Sequence, residues 1–353
     1  DIEQIRQSIA TDNVVDFLTA KLHKLSPTTQ NLLMLAACIG NQFDIATLAY
    51  IYQKPLGQTI RDLGEAIQEG LLIPATADFQ LLQSYVQDEN TNEISDEFDT
   101  NCRFLHDRVQ QTAYQLLDDE KRQMTHLKIG RLLLANTPPE ERDEHIFDIV
   151  NQLNIGINLI DDPEERLNLA QFNLIAGSRA RVSNAYEAAV SYLETGIQLL
   201  PPQRWKSHYK LTKELYHEQA IDEALLGHFE EAEKLFDELL QHLHTIQEKA
   251  KVYVSRLDVY HNLGKYAEGV ALGCSILKEF GVEFPTDEAE RGAAIGASLQ
   301  AIAELLKDRR IEDLEFAPPM NNIDKQLAMQ LLMSLMQHAF VVSQSLFALA
   351  MLE

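Results

Sequence analysis

In the run Phe104-Leu-His106-Asp107-Arg-Val109 a histidine and an aspartate stand side by side, where a strand-like stretch gives way to a helical one. The pairing suits hydrogen-bond chemistry: an imidazole offers two ring nitrogens, and a carboxylate can accept from the free N–H groups of a helix start. Asp107 is expected to cap the helix that follows, to about Leu117, a role worth ~1 kcal/mol. A histidine before such a cap can serve the fold alone, bridging backbone groups in a core. Elsewhere the candidates for chemistry thin out. Eleven histidines are scattered, and His242 and His244, two apart, fall on different faces of a helix, so zinc is not expected there. Cys38, Cys102 and Cys274 show no metal-ligand spacing and are expected to pack as small apolar residues. Gly264-Lys265 lacks the upstream glycine and the hydroxyl residue of a phosphate-cradling loop, and no dinucleotide fingerprint occurs. No catalytic residue and no metal ligand is assigned, and the chain itself is not expected to be an enzyme.

The elements that would position His106 occupy residues 1–123. Asn13 to Leu25 alternates apolar and polar residues at helical spacing. Ser26-Pro27 is a helix start, with a side-chain cap and a proline whose missing N–H costs nothing in the first turn. The helix it opens is apolar through Leu32-Leu33-Met34-Leu35-Ala36-Ala37 and ends at Gly40-Asn41. Two shorter helices are expected near Asp44–Tyr52 and Leu56–Glu69. Leu71-Leu72-Ile73-Pro74, Phe79-Gln80-Leu81-Leu82 and Cys102-Arg-Phe-Leu105 read as short strands. Between Asp88 and Asp99 lie six acidic residues and no basic one, so 85–100 is expected to be a solvated acidic loop. Three helices and a strand pair with a long tip outline a winged-helix-like domain.

Residues 124–353 carry no strand signal. Asp162-Pro163-Glu164-Glu165 combines a cap, a first-turn proline and acids facing the helix dipole. Pro201-Pro202, Pro285 and Pro318-Pro319 punctuate the remainder. Three stretches then match one another: Asn184-Ala-Tyr186-Glu-Ala-Ala189, Gly227-His-Phe229-Glu-Glu-Ala232 and Gly264-Lys-Tyr266-Ala-Glu-Gly269. Each sets an aromatic residue three places before a small one, as in the second helix of a tetratricopeptide (TPR) unit. The small residue lets two helices approach and the aromatic fills the groove beside it. Tyr186, Phe229 and Tyr266 lie 43 and 37 residues apart, near the roughly 34-residue period of that repeat plus small insertions. The expected architecture is mainly α: a winged-helix-like N-terminal domain with a small strand pair, then a TPR-like helical array. If Phe229 is as buried as this pattern implies, its replacement by alanine costs about 3–5 kcal/mol.

Charge narrows the partners. Lys and Arg total 30 against 54 Asp and Glu, a net charge of −24 that repels phosphate backbones and anionic membranes. A winged helix still raises DNA binding. The helix that would read bases carries Lys54 and Arg61 against Asp62, Glu65 and Glu69, a net negative surface. The rival reading, a DNA-binding transcriptional regulator with a TPR sensor domain, is therefore disfavoured. No apolar run reaches the ~20 residues of a membrane span, and the cysteine usage suits a reducing cytoplasm.

The run Phe104-Leu-His106-Asp107-Arg-Val109 resembles the end of the winged-helix domain in signal-transduction ATPases of the STAND group. There a His-Asp pair follows a strand and opens a helix. The resemblance implies that His106, with Asp107, touches the β-phosphate of ADP bound in the intact parent and holds the ATPase closed. Leu105 stands where those proteins carry Met. The wider chain, through Asn13-Val-Val-Asp-Phe17 and Ala176-Gly-Ser-Arg-Ala-Arg181…Tyr186, is similar to the middle of cyanobacterial-type multidomain proteins. In these a Ser/Thr kinase domain and an AAA-like ATPase precede such a segment, and sensor and histidine-kinase domains follow it. The kinase and ATP-binding motifs are absent here, so ATP or ADP is implied for the parent and no cofactor for this stretch. His106 thus stands between a structural role and nucleotide sensing.

The expected function is a non-catalytic regulatory segment that couples a nucleotide switch to binding of a protein partner or another domain of the same chain. Both ends look cut: the chain starts at Asp1 and stops at Glu353 after the apolar-rich run Leu327–Leu352. Repeat arrays need polar caps, so self-association through uncapped C-terminal helices is expected.

Overall fold

Ser26 and Pro27 begin the first helix as their chemistry requires. In the computed structural model, which describes residues 18–74, 101–307 and 319–353, α1 spans Pro27–Ile39 and the Ser26 side chain accepts from the Thr29 N–H. The expected strand at Phe79–Leu82, the acidic loop 85–100 and the Asn13–Phe17 motif lie outside the described residues. The protein is mainly helical with one small antiparallel sheet. It divides into two compact units, Asp1–Leu169 and Ala170–Glu353.

The first unit runs α1, β1 (Gln42–Asp44), α2 (Ile45–Tyr52), α3 (Leu56–Gln68), β2 (Leu72–Pro74), β3 (Asn101–Phe104) and α4 (Asp107–Gln115). The sheet has three strands in the order β1-β3-β2, where the sequence suggested a pair. The missed strand, β1, is three residues long, and no two-residue alternation can declare itself over so short a run. Its centre, Phe43, is buried opposite Cys102 and meets the Phe104 ring at 5.8 Å between centroids. Around them Leu32, Leu33 and Ala36 of α1, Leu48 of α2, Leu63 of α3 and Val109 of α4 form one core.

Two further helices, α5 (Asp119–Asn136) and α6 (Ile146–Ile155), join this unit. They approach closely because α5 offers Gly130: a Cβ there would stand 2.6 Å from Leu153 Cδ2. A polar relay ties them to the rest. Gln152 Nε2 donates to the Cys38 carbonyl at 3.0 Å, His126 Nδ1 meets Gln152 Oε1 at 2.6 Å, and Tyr114 Oη meets His126 Nε2 at 3.0 Å. Gln152 spends its amide on Cys38, so its oxygen must accept from Nδ1–H, which leaves Nε2 to accept from Tyr114. Burial lowers the His126 pKa and favours this neutral form. The unit therefore reaches past residue 123, where the sequence reading drew its boundary, and the division falls inside α7 (Pro163–Val182).

The second unit contains the end of α7, then α8 (Tyr186–Leu199), the single turn α9 (Arg204–Ser207), α10 (Tyr209–Leu226), α11 (Phe229–His242), α12 (Ile246–Asn262), α13 (Tyr266–Glu279), α14 (Glu288–Leu305), α15 (Ile323–Val342) and α16 (Gln344–Leu352). A repeated turn precedes α8, α11 and α13. Asn184, Gly227 and Gly264 hold φ of 59°, 87° and 67°. Each N–H bonds three residues back, and the next residue's N–H five residues back, to Ala180, Glu223 and Tyr260. This left-handed stop closes one helix and aims the next. Each following helix begins on the aromatic residue and runs for 14 residues.

Candidate functional site

His106 sits at the exposed mouth of the strand-to-helix corner. β3 delivers it: the Leu105 N–H donates to the Leu71 carbonyl at 2.9 Å, and buried Cys102 and Phe104 anchor the strand. Here the sequence reading needs correction. The residue capping α4 is His106, whose Nδ1 accepts from the Arg108 N–H at 3.2 Å, while Asp107 is already the first helical residue. The extended backbone of His106 (φ −153°, ψ 147°) puts its ring, not the carboxylate, over the free N–H groups. Nor does His106 lie in a core; it, Leu105 and Asp107 are exposed.

The cap has a chemical consequence. A neutral imidazole that accepts at Nδ1 carries its proton on Nε2, so the outer nitrogen is a donor. Arg103 and Arg108 are close to it in sequence, and neither forms an ion pair among the described residues. An exposed donor of this kind suits an anion. The acids of α3, by contrast, serve the fold. Asp62 accepts from the Tyr52 hydroxyl at 3.2 Å, and Glu65 accepts from the Ser26 N–H at 2.9 Å and the Thr29 hydroxyl at 3.0 Å. Cys38 and Cys102 are buried, and burial pushes both thiols up to about 12, so neither offers a thiolate.

In the second unit Ala189, Ala232 and Gly269 are buried, as their spacing implied. Gly269 shows why size matters, because a Cβ there would stand 2.0 Å from His338 Cδ2. Tyr186, Phe229 and Tyr266 are only half-buried. They head their helices, where one side of the ring remains open. The aromatic fully enclosed in the middle repeat is Phe236, two turns further on.

Sequence reasoning missed the polar strip on the first helices of successive pairs. Arg181 of α7 forms an ion pair with Glu218 of α10 and lies 3.4 Å from Asp222 Oδ1. Asp222 is fully buried and its Oδ2 has no hydrogen-bond partner. Burial pushes its pKa up to about 6, against the pull of Arg181. Next to it His217 Nε2 meets the Ser255 hydroxyl of α12 at 2.9 Å, and burial, with Arg181 and Lys213 adding, holds the imidazole down at about 4. Nothing local distinguishes these residues from solvated helix charges, so only the four-residue spacing of Glu218 and Asp222 hinted at a shared face. Beside the strip a cleft of about 470 Å³ opens between α10 and α12, lined by Ile221, Leu225, Phe229, Ser255, Asp258 and Asn262. Among the described residues no group of three or more His, Cys, Asp or Glu could hold a metal ion, and no helix is long and apolar enough to cross a membrane.

Fold and geometry together define a class: an array of helical hairpins joined to a small helix-and-sheet unit. Within that class the chain is similar to hybrid signal transduction histidine kinase G of Dictyostelium discoideum, at 30% identity over 322 residues. The match covers 80% of this chain, which spans about 9% of the length of that relative. No family model matches, and no solved structure matches. The similarity fits a signalling role.

Proposed function

We propose that this chain is a non-catalytic regulatory segment of a multidomain signalling kinase and that it couples a nucleotide switch to protein binding. In this reading the first unit is a winged-helix module of the STAND type, and the second is a TPR-like array. The observation that carries it is the His106 cap: the bond to Arg108 N–H fixes the tautomer and leaves an exposed donor, fit for the phosphate of ADP in the intact parent. The similarity to a histidine kinase agrees with such a parent. The cleft between α10 and α12 would receive a segment of a protein partner or of another domain. A partner that prefers one arrangement of the parent's domains would shift the switch by that difference in affinity.

The test is nucleotide occupancy of the parent protein with His106, His106→Ala or His106→Asn. Asparagine preserves a side-chain cap and removes the imidazole donor. Wild type is expected to retain ADP on purification and both variants to lose it or exchange it faster. If only His106→Ala is affected, the residue acts as a cap; if no form holds nucleotide, the switch reading falls. The reading of α3 as a DNA helix gains nothing from Asp62 and Glu65, which are engaged within the fold.

A further inference from the structure

We infer that the cleft between α10 and α12 takes a lysine or arginine side chain, presented on an apolar-flanked segment of a separate protein. This rests on the reading of that cleft as a partner site and names the chemistry it selects. The cleft holds about 470 Å³, within the ~300–1,000 Å³ range of ligand pockets. Its walls are largely apolar: Ile221 and Leu225 of α10, Phe229 of α11 and Val259 of α12 line it. Leu225 is 44% exposed, so part of this apolar wall is open to an incoming side chain.

Charge selects the occupant. Among the described residues Asp258 is the one charged residue lining the cleft, and it forms no ion pair. Other charges that join neighbouring first helices are matched, Lys213 with Glu248 and Arg181 with Glu218. Its own helix supplies no lysine or arginine: Val254, Ser255, His261 and Asn262 hold the positions three and four residues away. Partial burial raises the Asp258 carboxyl above its ordinary value, against the pull of His338 and His261. Two helix ends add to the demand for a cation. Leu226-Gly227 and Asn262-Leu263, which line the same cleft, are the C-terminal ends of α10 and α12. Each such end carries roughly half a negative charge from its aligned peptide dipoles.

Apolar walls beside a lone carboxylate fit a long basic side chain. Its methylene stem lies along the aliphatic wall while the charged head reaches Asp258. A neutral residue leaves Asp258 unpaired, and an acidic one is repelled. The net charge of −24 points to a separate protein rather than another domain of the parent. A field of that sign raises the encounter rate of a basic molecule arriving from solution. A domain already tethered to the cleft gains little from it.

Selection of phage-displayed random dodecapeptides on the full 353-residue chain tests the inference. Bound peptides are expected to share a lysine or arginine beside large apolar residues. In a synthetic peptide so selected, norleucine in place of that residue should weaken binding about three- to fivefold, the scale of a partly exposed charge pair. Asp258→Asn should shrink the difference to less than about twofold. Glu187→Gln, at an exposed acid outside the cleft, should preserve it. Leu225→Arg, which sets a guanidinium in the cleft, should block both peptides. Far-ultraviolet circular dichroism should report equal helix content in all four proteins, since every substituted side chain is exposed. A preference undiminished by Asp258→Asn would overturn the inference and leave the cleft a partner site, as would selected peptides that lack a basic residue yet are blocked by Leu225→Arg. If Leu225→Arg blocks no selected peptide, the cleft reading itself falls. Loss of peptide binding in the intact parent would overturn the choice of a separate protein, since another domain would then hold the cleft.

Discussion

At the scale of single residues, burial decides which side chains carry energy and which carry pH dependence. Phe229 matched the repeat pattern, but Phe236 is the enclosed ring, so Phe236→Ala should cost about 3–5 kcal/mol and Phe229→Ala clearly less. Urea unfolding of the two variants checks the order. The pair His217 and Asp222 works in opposite directions. His217 is held at about 4, so the stability it lends is complete above the ordinary histidine value and is lost as pH falls toward 4. Asp222 is pushed up to about 6, so its ionised form costs stability above that pH, and the cost disappears as pH falls through the ordinary carboxylate range. Asp222→Asn is therefore expected to stabilise the protein at pH 7.5 by roughly 1–3 kcal/mol, with the gain fading near pH 4. An equal gain at both pH values would rule out the buried charge as its cause.

At the scale of elements, the repeat rests on two local devices, a left-handed stop and a small residue. The stop was legible because glycine at 227 and 264 escapes the steric penalty that other residues meet at positive φ. At the third site Asn184 takes the same conformation, which asparagine tolerates better than most residues. The small residue was legible too, but its partner was not. His338 lies 69 positions after Gly269, and no periodicity links them. Gly269→Ala should force α13 and α15 apart, costing about 1–3 kcal/mol as overpacking; Gly292→Ala, where a Cβ meets nothing within 4 Å, should be neutral or stabilising. Thermal melts of the two variants separate these outcomes. In the first unit the helices Pro27–Ile39, Ile45–Tyr52 and Leu56–Gln68 followed from caps and apolar spacing. The strand Gln42–Asp44 did not, because it exists only by pairing with the distant strand β3, Asn101–Phe104.

At the scale of the whole molecule, a net charge of −24 and a set of cross-helix ion pairs respond oppositely to salt. Lys213–Glu248 at 2.7 Å and Arg256–Asp237 at 2.9 Å join neighbouring helices, and Lys213 with the Tyr209 hydroxyl holds the Glu248 carboxyl down at about 2 despite its burial. Salt screens exposed charges more than partly buried pairs, so self-repulsion should fade first. The melting midpoint is expected to rise by a few degrees between about 0.02 and 0.3 M sodium chloride. A fall would mean that the ion pairs outweigh the repulsion. The division at Leu169 and Ala170 adds the helices 119–136 and 146–155 to the first unit. The tie that brings them there, Cys38 to Gln152 to His126 to Tyr114, spans 114 positions at its widest.

By itself the sequence determined the helical class, the three matched helix starts at Tyr186, Phe229 and Tyr266, and the strand-to-helix corner that carries His106. All of these rest on interactions within a few residues: caps, turn glycines and the 3.6-residue apolar period. Only the tertiary structure decided that His106 rather than Asp107 caps the corner, and that Asp222 is buried beside Arg181. Each of those depends on which backbone direction or which distant helix a residue meets, and such meetings are chosen by the packing of whole faces, which leaves no trace in local spacing.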